Sequence, residues 1–401
     1  MEWAAVTKTA KAWIDELRTP PRARMTQLRG RIGVLSADPG PERAMTEGFA
    51  WLCHAQDQSA THDGGVARHF SLIDGWSSSY PETTGYIADT FIVHGTETQD
   101  RRLVERAFRM LDWLVSIQFP DGAFQGGVVD ARPRIPATFD TGQVLIGLAA
   151  GAGIDSRYRE PMIRAADWLV RTQDPDGCWR AQEKPFVEPG EKVYETHVAI
   201  GLFRAAAREP SRGYLEAASK QVRWAIGHQR PNGWLANCCL TDPENPLTHT
   251  LGYALRGITE AYLRTGDSEF LGAACRMAEG VTHAFGADGR LAGRLTKEWK
   301  PAVDWVCLTG TVQIAESLLL LSRATGRDDF RVAACRANAF VRRTIAIEGA
   351  PEIRGAVGGS FPIDGHYGRW QYLNWACKFM IDANRAELQS SKTGPAQRVK
   401  T

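Results

Sequence analysis

Apolar positions recur at helical spacing along nearly the whole chain, in two alternating kinds of segment. Segments 42–57, 101–118, 159–173 and 214–229 are apolar on one face and charged on the other, as in Arg101-Arg102-Leu103-Val104-Glu105-Arg106. Between them lie segments apolar nearly all round and rich in small residues, near 82–95, 140–151, 195–208, 249–265, 306–325 and 367–385; Leu318-Leu319-Leu320-Leu321 shows their character. A helix that is apolar on every side is buried on every side. The pattern therefore predicts an all-α fold, an (α/α)6 toroid in which an outer helix alternates with an inner one. The helix at 42–57 is the sixth outer helix and closes the ring against the inner helix at 367–385.

A repeat runs in phase with these segments. Asp63-Gly64, Asp121-Gly122, Asp176-Gly177, Asn232-Gly233 and Asp288-Gly289 recur every 55 to 58 residues, a period that implies a repeat architecture. Trp51, Trp113, Trp168 and Trp224 each stand five residues before a glutamine, at Gln56, Gln118, Gln173 and Gln229. Pro120, Pro175 and Pro231 stop the outer helices and the Asp-Gly or Asn-Gly pair makes the turn. Phe124, Trp179 and Trp234 then fold back onto the helix just left. Packing and hydrogen bonding between neighbours, not chemistry, is the expected role of the repeated Trp and Gln.

The unit Trp-x4-Gln-x2-(Asp/Asn)-Gly followed by an aromatic resembles the Gln-Trp repeat of terpenoid cyclases and the related toroid of protein prenyltransferases, over residues 42–385. That resemblance implies the ring and leaves the reaction open, because polysaccharide lyases and glycoside hydrolases share the toroid. The ending Gly358-Gly359-Ser360-Phe361-Pro362-Ile363, with Tyr367, Gln371-Tyr372 and Asn374-Trp375-Ala376, resembles that of uncharacterised toroid proteins of bacterial polysaccharide metabolism.

Composition narrows the setting. A net charge of +2 supplies no field for nucleic acid, and no apolar run approaches a membrane span. The charged start, Met1 to Lys8, lacks the apolar core of a signal peptide, so a cytoplasmic protein is expected. The eight cysteines form no CxxC pair and are expected as small core residues. Residues 1–41 form an N-terminal extension, with a helix at about 3–18 and then a basic stretch that braces the ring or covers an edge. Residues 386–401 form a disordered tail.

Loop lengths point to one working end. Turns leaving the inner helices are short (Gly95–Asp100, Arg208–Gly213, Thr265–Glu269, Thr325–Asp329), whereas connections leaving the outer helices, 122–138, 178–194, 234–247 and 289–305, are long. Long loops in a compact fold usually build a site. They all fall where the inner helices begin, and the helix N-termini there favour an anionic group. Candidate catalytic residues at these starts are Glu82, Asp140, Glu195, His249, Tyr253, Asp304, His366 and Tyr367. Candidate substrate-binding residues are Trp76, Tyr80, Tyr86, His197, Trp299, Trp305, Arg369, Trp370 and Gln371. Each Thr, Asp or Glu alone is an ordinary helix cap. The convergence of carboxylates, histidines, tyrosines and an arginine at one mouth goes beyond capping.

Two carboxyl groups suit glycoside hydrolysis, and a His or Tyr base beside a cationic clamp suits lyase or epimerase chemistry on a uronic acid. The expectation is a carbohydrate-active enzyme for an oligo- or polysaccharide containing an acidic sugar, without a cofactor. An isoprenoid enzyme is the alternative, with Asp304, Cys307 and His366 as zinc ligands, although no Asp-x-Asp-Asp motif is present and Arg327-Asp328-Asp329 lies on the wrong face. A non-catalytic toroid that binds a glycan or a protein is the third possibility.

Overall fold

A computed structural model describes residues 19–180 and 190–392. The helix expected at 3–18 lies outside the described residues, as do 181–189 of the long loop 178–194 and 393–401 of the expected tail. The basic stretch forms a helix of its own, α1 (Pro21–Arg31). The chain then alternates as the pattern predicts. The outer helices are α2 (Pro41–Asp57), α4 (Arg101–Ile117), α6 (Arg159–Thr172), α8 (Tyr214–Ile226), α10 (Ser268–His283) and α12 (Asp328–Arg342). The inner ones are α3 (Pro81–Thr98), α5 (Thr138–Ala152), α7 (Thr196–Ala206), α9 (Thr248–Thr265), α11 (Leu308–Thr325) and α13 (Asn374–Lys392).

Two boundaries differ from expectation. Residues 367–373 are a turn and a strand instead of the start of the last inner helix, and that helix continues past 385 to Lys392. No helix among the described residues is long and apolar enough to cross a membrane.

Each inner helix packs on the next, and α13 closes the ring onto α3 and α2. Burial explains the two patterns. Every residue of α5 from Thr138 to Ala149 is buried, whereas α4 buries only Ala107, Met110, Leu111, Trp113 and Leu114 on one face. Side chains of Asp100 and Asp267 cap α4 and α10 by accepting from the amides of Arg102 and Glu269, which keeps the turns out of the inner helices tight.

The repeat is a brace between neighbouring hairpins. Gln118 Nε2 donates to Gly122 O in its own turn and to Pro161 O on the next outer helix, both at 3.0 Å. Gln173 does the same to Gly177 O and Ala217 O, and Gln56 and Gln229 follow suit. Trp179 folds back as expected, its Nε1 donating to Leu169 O at 2.9 Å. The turn glycines are required by space as well as by φ: a Cβ on Gly122 (φ +102) would stand 2.2 Å from Arg164 O. Gly355, outside the Asp-Gly pattern, holds the same place in the sixth hairpin, where a Cβ would lie 2.0 Å from Glu47 O on α2.

Short strands, unforeseen in the sequence, knit the long loops on the mouth face. The strand order β2-β1-β5 joins β1 (His69–Ser71) to β2 (Gly75–Trp76) and to β5 (Gln371–Leu373), so the first and last loops pair. A second ladder pairs β3 (Val306–Cys307) with β4 (Ser360–Phe361). Helix α1 braces this last loop from outside: Gln27 and Arg31 both donate to Asp364 Oδ2, and Gly30 lies against Pro362.

Candidate active site

The starts of the inner helices bring a compact subset of the expected residues together. Tyr80 immediately precedes α3, and its hydroxyl donates to Oε2 of Glu82 at 2.5 Å. Asp140 occupies the first turn of the adjacent inner helix α5 and is fully buried. Glu195 ends a short 3-10 turn before α7, beside Tyr194. Tyr253 of α9 is the hub: its ring centre lies 4.5 Å from His197, 4.4 Å from His249 and 5.0 Å from Phe139. Tyr367 closes the cluster, 5.1 Å from the His249 ring, with its hydroxyl accepting from Trp375 Nε1 at 2.8 Å. Ser360 Oγ holds Tyr367 in place by donating to its carbonyl and accepting from its amide.

Glu82 bears on every tyrosine of this cluster. Burial is the main reason the hydroxyls of Tyr80, Tyr86, Tyr194, Tyr253 and Tyr367 are pushed well above the usual phenol range, and the charge of Glu82 adds to the effect at all five. Asp140 acts on Tyr80 and Tyr253 as well, so two carboxyl groups from neighbouring inner helices bear on the same two phenols. The tyrosines therefore stay protonated and available as donors.

Two histidines are each held by a glutamine side chain. His197 Nδ1 lies 2.6 Å from Gln143 Oε1, and His249 Nδ1 lies 2.8 Å from Gln313 Oε1. Each imidazole is thereby tied to a glutamine of an adjacent inner helix. Burial, reinforced by Lys378 and Arg256, holds the His197 imidazole well below its ordinary value.

Below this layer is a compensated charge network. A cavity of about 50 Å³, room for a few waters, has His197 in its wall together with Asp89, Arg204, Arg256, Lys378 and Asp382. Arg204 pairs with Asp89, Lys378 with Asp382 at 2.7 Å, and Arg256 with Glu260 at 2.7 Å and Glu316 at 3.3 Å. Burial opposes ionisation of Glu260, yet Arg256, Arg204 and Arg264 hold its carboxyl well below the usual range. The network forms a charged floor beneath the tyrosine and histidine layer.

Other expected residues stand elsewhere. Trp76 packs against Trp51, His54 and Phe70 in the outer wall. Trp299 donates from Nε1 to Asn232 O and packs on Trp234, where it fills the space left by Gly280. Trp305 is buried with Leu247 and Cys307, and Trp370 is buried with φ +64 in the last loop. Arg369 lies over the Trp370 ring at 5.9 Å, and Gln371 pairs through its backbone with Ser71. Asp304 is exposed, and His366 is exposed beside Trp305. Cys307 is fully buried and its Sγ accepts from the Gly310 amide, so Asp304, Cys307 and His366 form no ligand set. Among the described residues no three His, Cys, Asp or Glu side chains are grouped to hold a metal ion. Asp328 and Asp329 pair with Arg331 and Arg327 at the start of α12.

Several members of the cluster carry no sequence signal. Gln313 is one amide in an apolar helix, and Arg68 is a lone arginine in a loop. Arg68 stacks on Trp375 at 5.0 Å and on Tyr80 at 5.8 Å.

No family model matches the chain, and no curated protein matches it by sequence. Solved structures do resemble it. An unsaturated glucuronyl hydrolase specific for heparin superposes with a TM-score of 0.68 at 17% identity, over 88% of this chain and 98% of that one. A D-mannose isomerase gives 0.68 at 12% identity, over 87% and 97%. An inactive variant of an α-1,6-mannanase of Salegentibacter sp. HEL1_6, in complex with α-1,6-mannotriose, gives 0.63 at 12% identity, over 86% and 99%. Over nearly its whole described length the chain shares the ring fold of these proteins.

Proposed function

We propose that the chain is a carbohydrate-active enzyme that hydrolyses an oligosaccharide containing an acidic sugar, with Glu82 and Asp140 as its two carboxyl groups. The observation that carries this reading is the placement of Glu82 and Asp140 on adjacent inner helices around Tyr80 and Tyr253. Hydrolysis of a glycosidic bond needs one carboxyl group to protonate the leaving oxygen and another to activate water or attack carbon. Glu82, oriented by the Tyr80 hydroxyl, takes the base or nucleophile role, and Asp140 the acid role. The protonated tyrosines donate to sugar hydroxyls and His249 lines the same space. The fold likeness to enzymes that act on sugars supports the reading.

The test is a panel of uronate-containing and neutral oligosaccharides, with both new reducing ends and absorbance from new double bonds followed. Reducing ends without double bonds, abolished in Glu82→Gln and Asp140→Asn, are the expected result. Double bonds would favour a lyase, and silence on all substrates would defeat both for the glycans tried.

One observation favours a second reading. His197 and His249 reach the Tyr253 ring from neighbouring inner helices, at 4.5 and 4.4 Å. Two such bases suit proton transfer at a sugar carbon, as in an isomerase or epimerase. Deuterium uptake from D2O into a sugar without chain cleavage, lost in His249→Gln, would select it.

A further inference from the structure

Arg68 stands on the lip of the mouth, in the loop that leads to α3 and against the first turn of α13. Both sides of its backbone are fixed, its amide donating to Ser78 O and its carbonyl accepting from Asn374 N. Its guanidinium lies over the rings of Trp375 and Tyr80, the tyrosine that orients Glu82. Nη1 lies 3.1 Å from His69 Nδ1. Burial, with the arginine beside it, pushes the His69 imidazole down to about 3, so this ring is a neutral acceptor that leaves the cation its full charge. Most arginines of the ring are paired with carboxylates, as Arg106 is with Asp57 and Arg342 with Asp38. Arg68 is not: its partners are one neutral imidazole and two aromatic faces, and among the described residues no carboxylate forms an ion pair with it.

A half-buried guanidinium set against two aromatic rings, with a pinned backbone and no carboxylate partner among the described residues, is preorganised for an anion from outside. Its planar fork fits a carboxylate better than it fits a hydroxyl. We infer that Arg68 is the specificity-determining residue of this site, binding the carboxylate of a uronic acid whose glycosidic bond lies toward Glu82. The inference rests on the hydrolase reading for its position relative to the reacting bond, and on the arrangement of Arg68 alone for its charge preference.

Two experiments separate these. In the first, wild type, Arg68→Gln and Arg68→Lys act on a disaccharide ending in glucuronic acid, on its methyl ester and on the neutral glucose analogue. Arg68→Gln is expected to raise KM for the acid about 10- to 100-fold, the worth of a charge-assisted pair. The loss is expected to be about 10-fold or more larger for the acid than for the ester or the neutral sugar, and Arg68→Lys recovers part of it. Equal effects on acid and ester would overturn the inference while leaving hydrolysis intact. In the second, calorimetry measures binding of D-glucuronate and its methyl ester to wild type and to Arg68→Gln, with melting curves to verify folding. Preference for the acid in wild type alone is expected, whatever the outcome of the activity assay. Absence of that preference in wild type, or its persistence in folded Arg68→Gln, would overturn the inference.

Discussion

The Tyr80 hydroxyl and Oε2 of Glu82 lie 2.5 Å apart in a buried corner of the mouth, so the phenol two residues before it helps to orient this carboxyl group. A hydrogen bond to a charged group contributes about 1.5–3 kcal/mol. Tyr80→Phe is therefore expected to lower kcat on an acidic disaccharide about 10- to 100-fold while the protein stays folded. Glu82→Gln, which removes the proposed base or nucleophile, should cost about 1,000-fold or more. Initial rates, with circular dichroism to verify folding, give the comparison; an unchanged kcat in Tyr80→Phe would remove Tyr80 from the machinery.

Ring closure depends on a backbone contact at Gly355. A Cβ there would stand 2.0 Å from Glu47 O at φ +80, whereas Gly349, at φ +102, has open space around it. Gly355→Ala is expected to destabilise by about 2–4 kcal/mol and Gly349→Ala by about 1 kcal/mol, the strain of positive φ alone. Urea unfolding of the two variants measures the difference, and equal values would show that the closure contact relaxes freely.

The repeated glutamines are predicted to matter for stability and not for turnover. Gln173→Ala leaves Gly177 O and Ala217 O without the donor that bridges them at 3.0 Å each. The expected loss is about 1–3 kcal/mol, with kcat of the folded protein unchanged. Thermal unfolding and a rate assay below the transition report the two quantities separately.

Acid sensitivity follows from the neutral histidines. His69 titrates at about 3 in the folded chain because of burial and then Arg68, and His197 lies well below its ordinary value for the reasons given above. Unfolded histidines titrate near 6.5. Between those values the unfolded state binds more protons, so stability is fully present above about pH 6.5 and falls as pH drops toward 3. The slope is about 1.4 kcal/mol per pH unit for each such histidine in the middle of the window. Unfolding free energies measured from pH 7 to pH 4 should show this fall, and His69→Gln should flatten it.

The ring was legible in the sequence for a physical reason. Each outer helix must bury one stripe and each inner helix its whole surface, and both demands are written at consecutive positions as the contrast between 101–118 and 140–151. The Gln and Gly of the repeat were equally plain, because every hairpin solves the same turn with the same hydrogen bonds. The sixth turn escaped because Arg354 stands where an Asp usually precedes the glycine, and Gly355 is identified only by its contact with Glu47. The strand at 371–373 escaped because its partner, 69–71, is three hundred residues away and pairing leaves no local period.

At the mouth, the positions of Glu82, Asp140, His249, Tyr253 and Tyr367 near the inner-helix starts were legible along the chain, and the structure brings their side chains near one another. Helix periodicity fixes which side chains point inward, and that much is local. Whether an inward residue meets the others depends on where its loop is held, which is a matter of tertiary contacts. Trp76 and Trp299 carry the same indole as any sugar platform, but Trp51 and Gly280 offer them packing partners in the outer wall. Arg68 has no motif at all. Only the closure of the ring, which lays the first loop against the start of α13, sets it against Trp375 and Tyr80 with no carboxylate partner among the described residues.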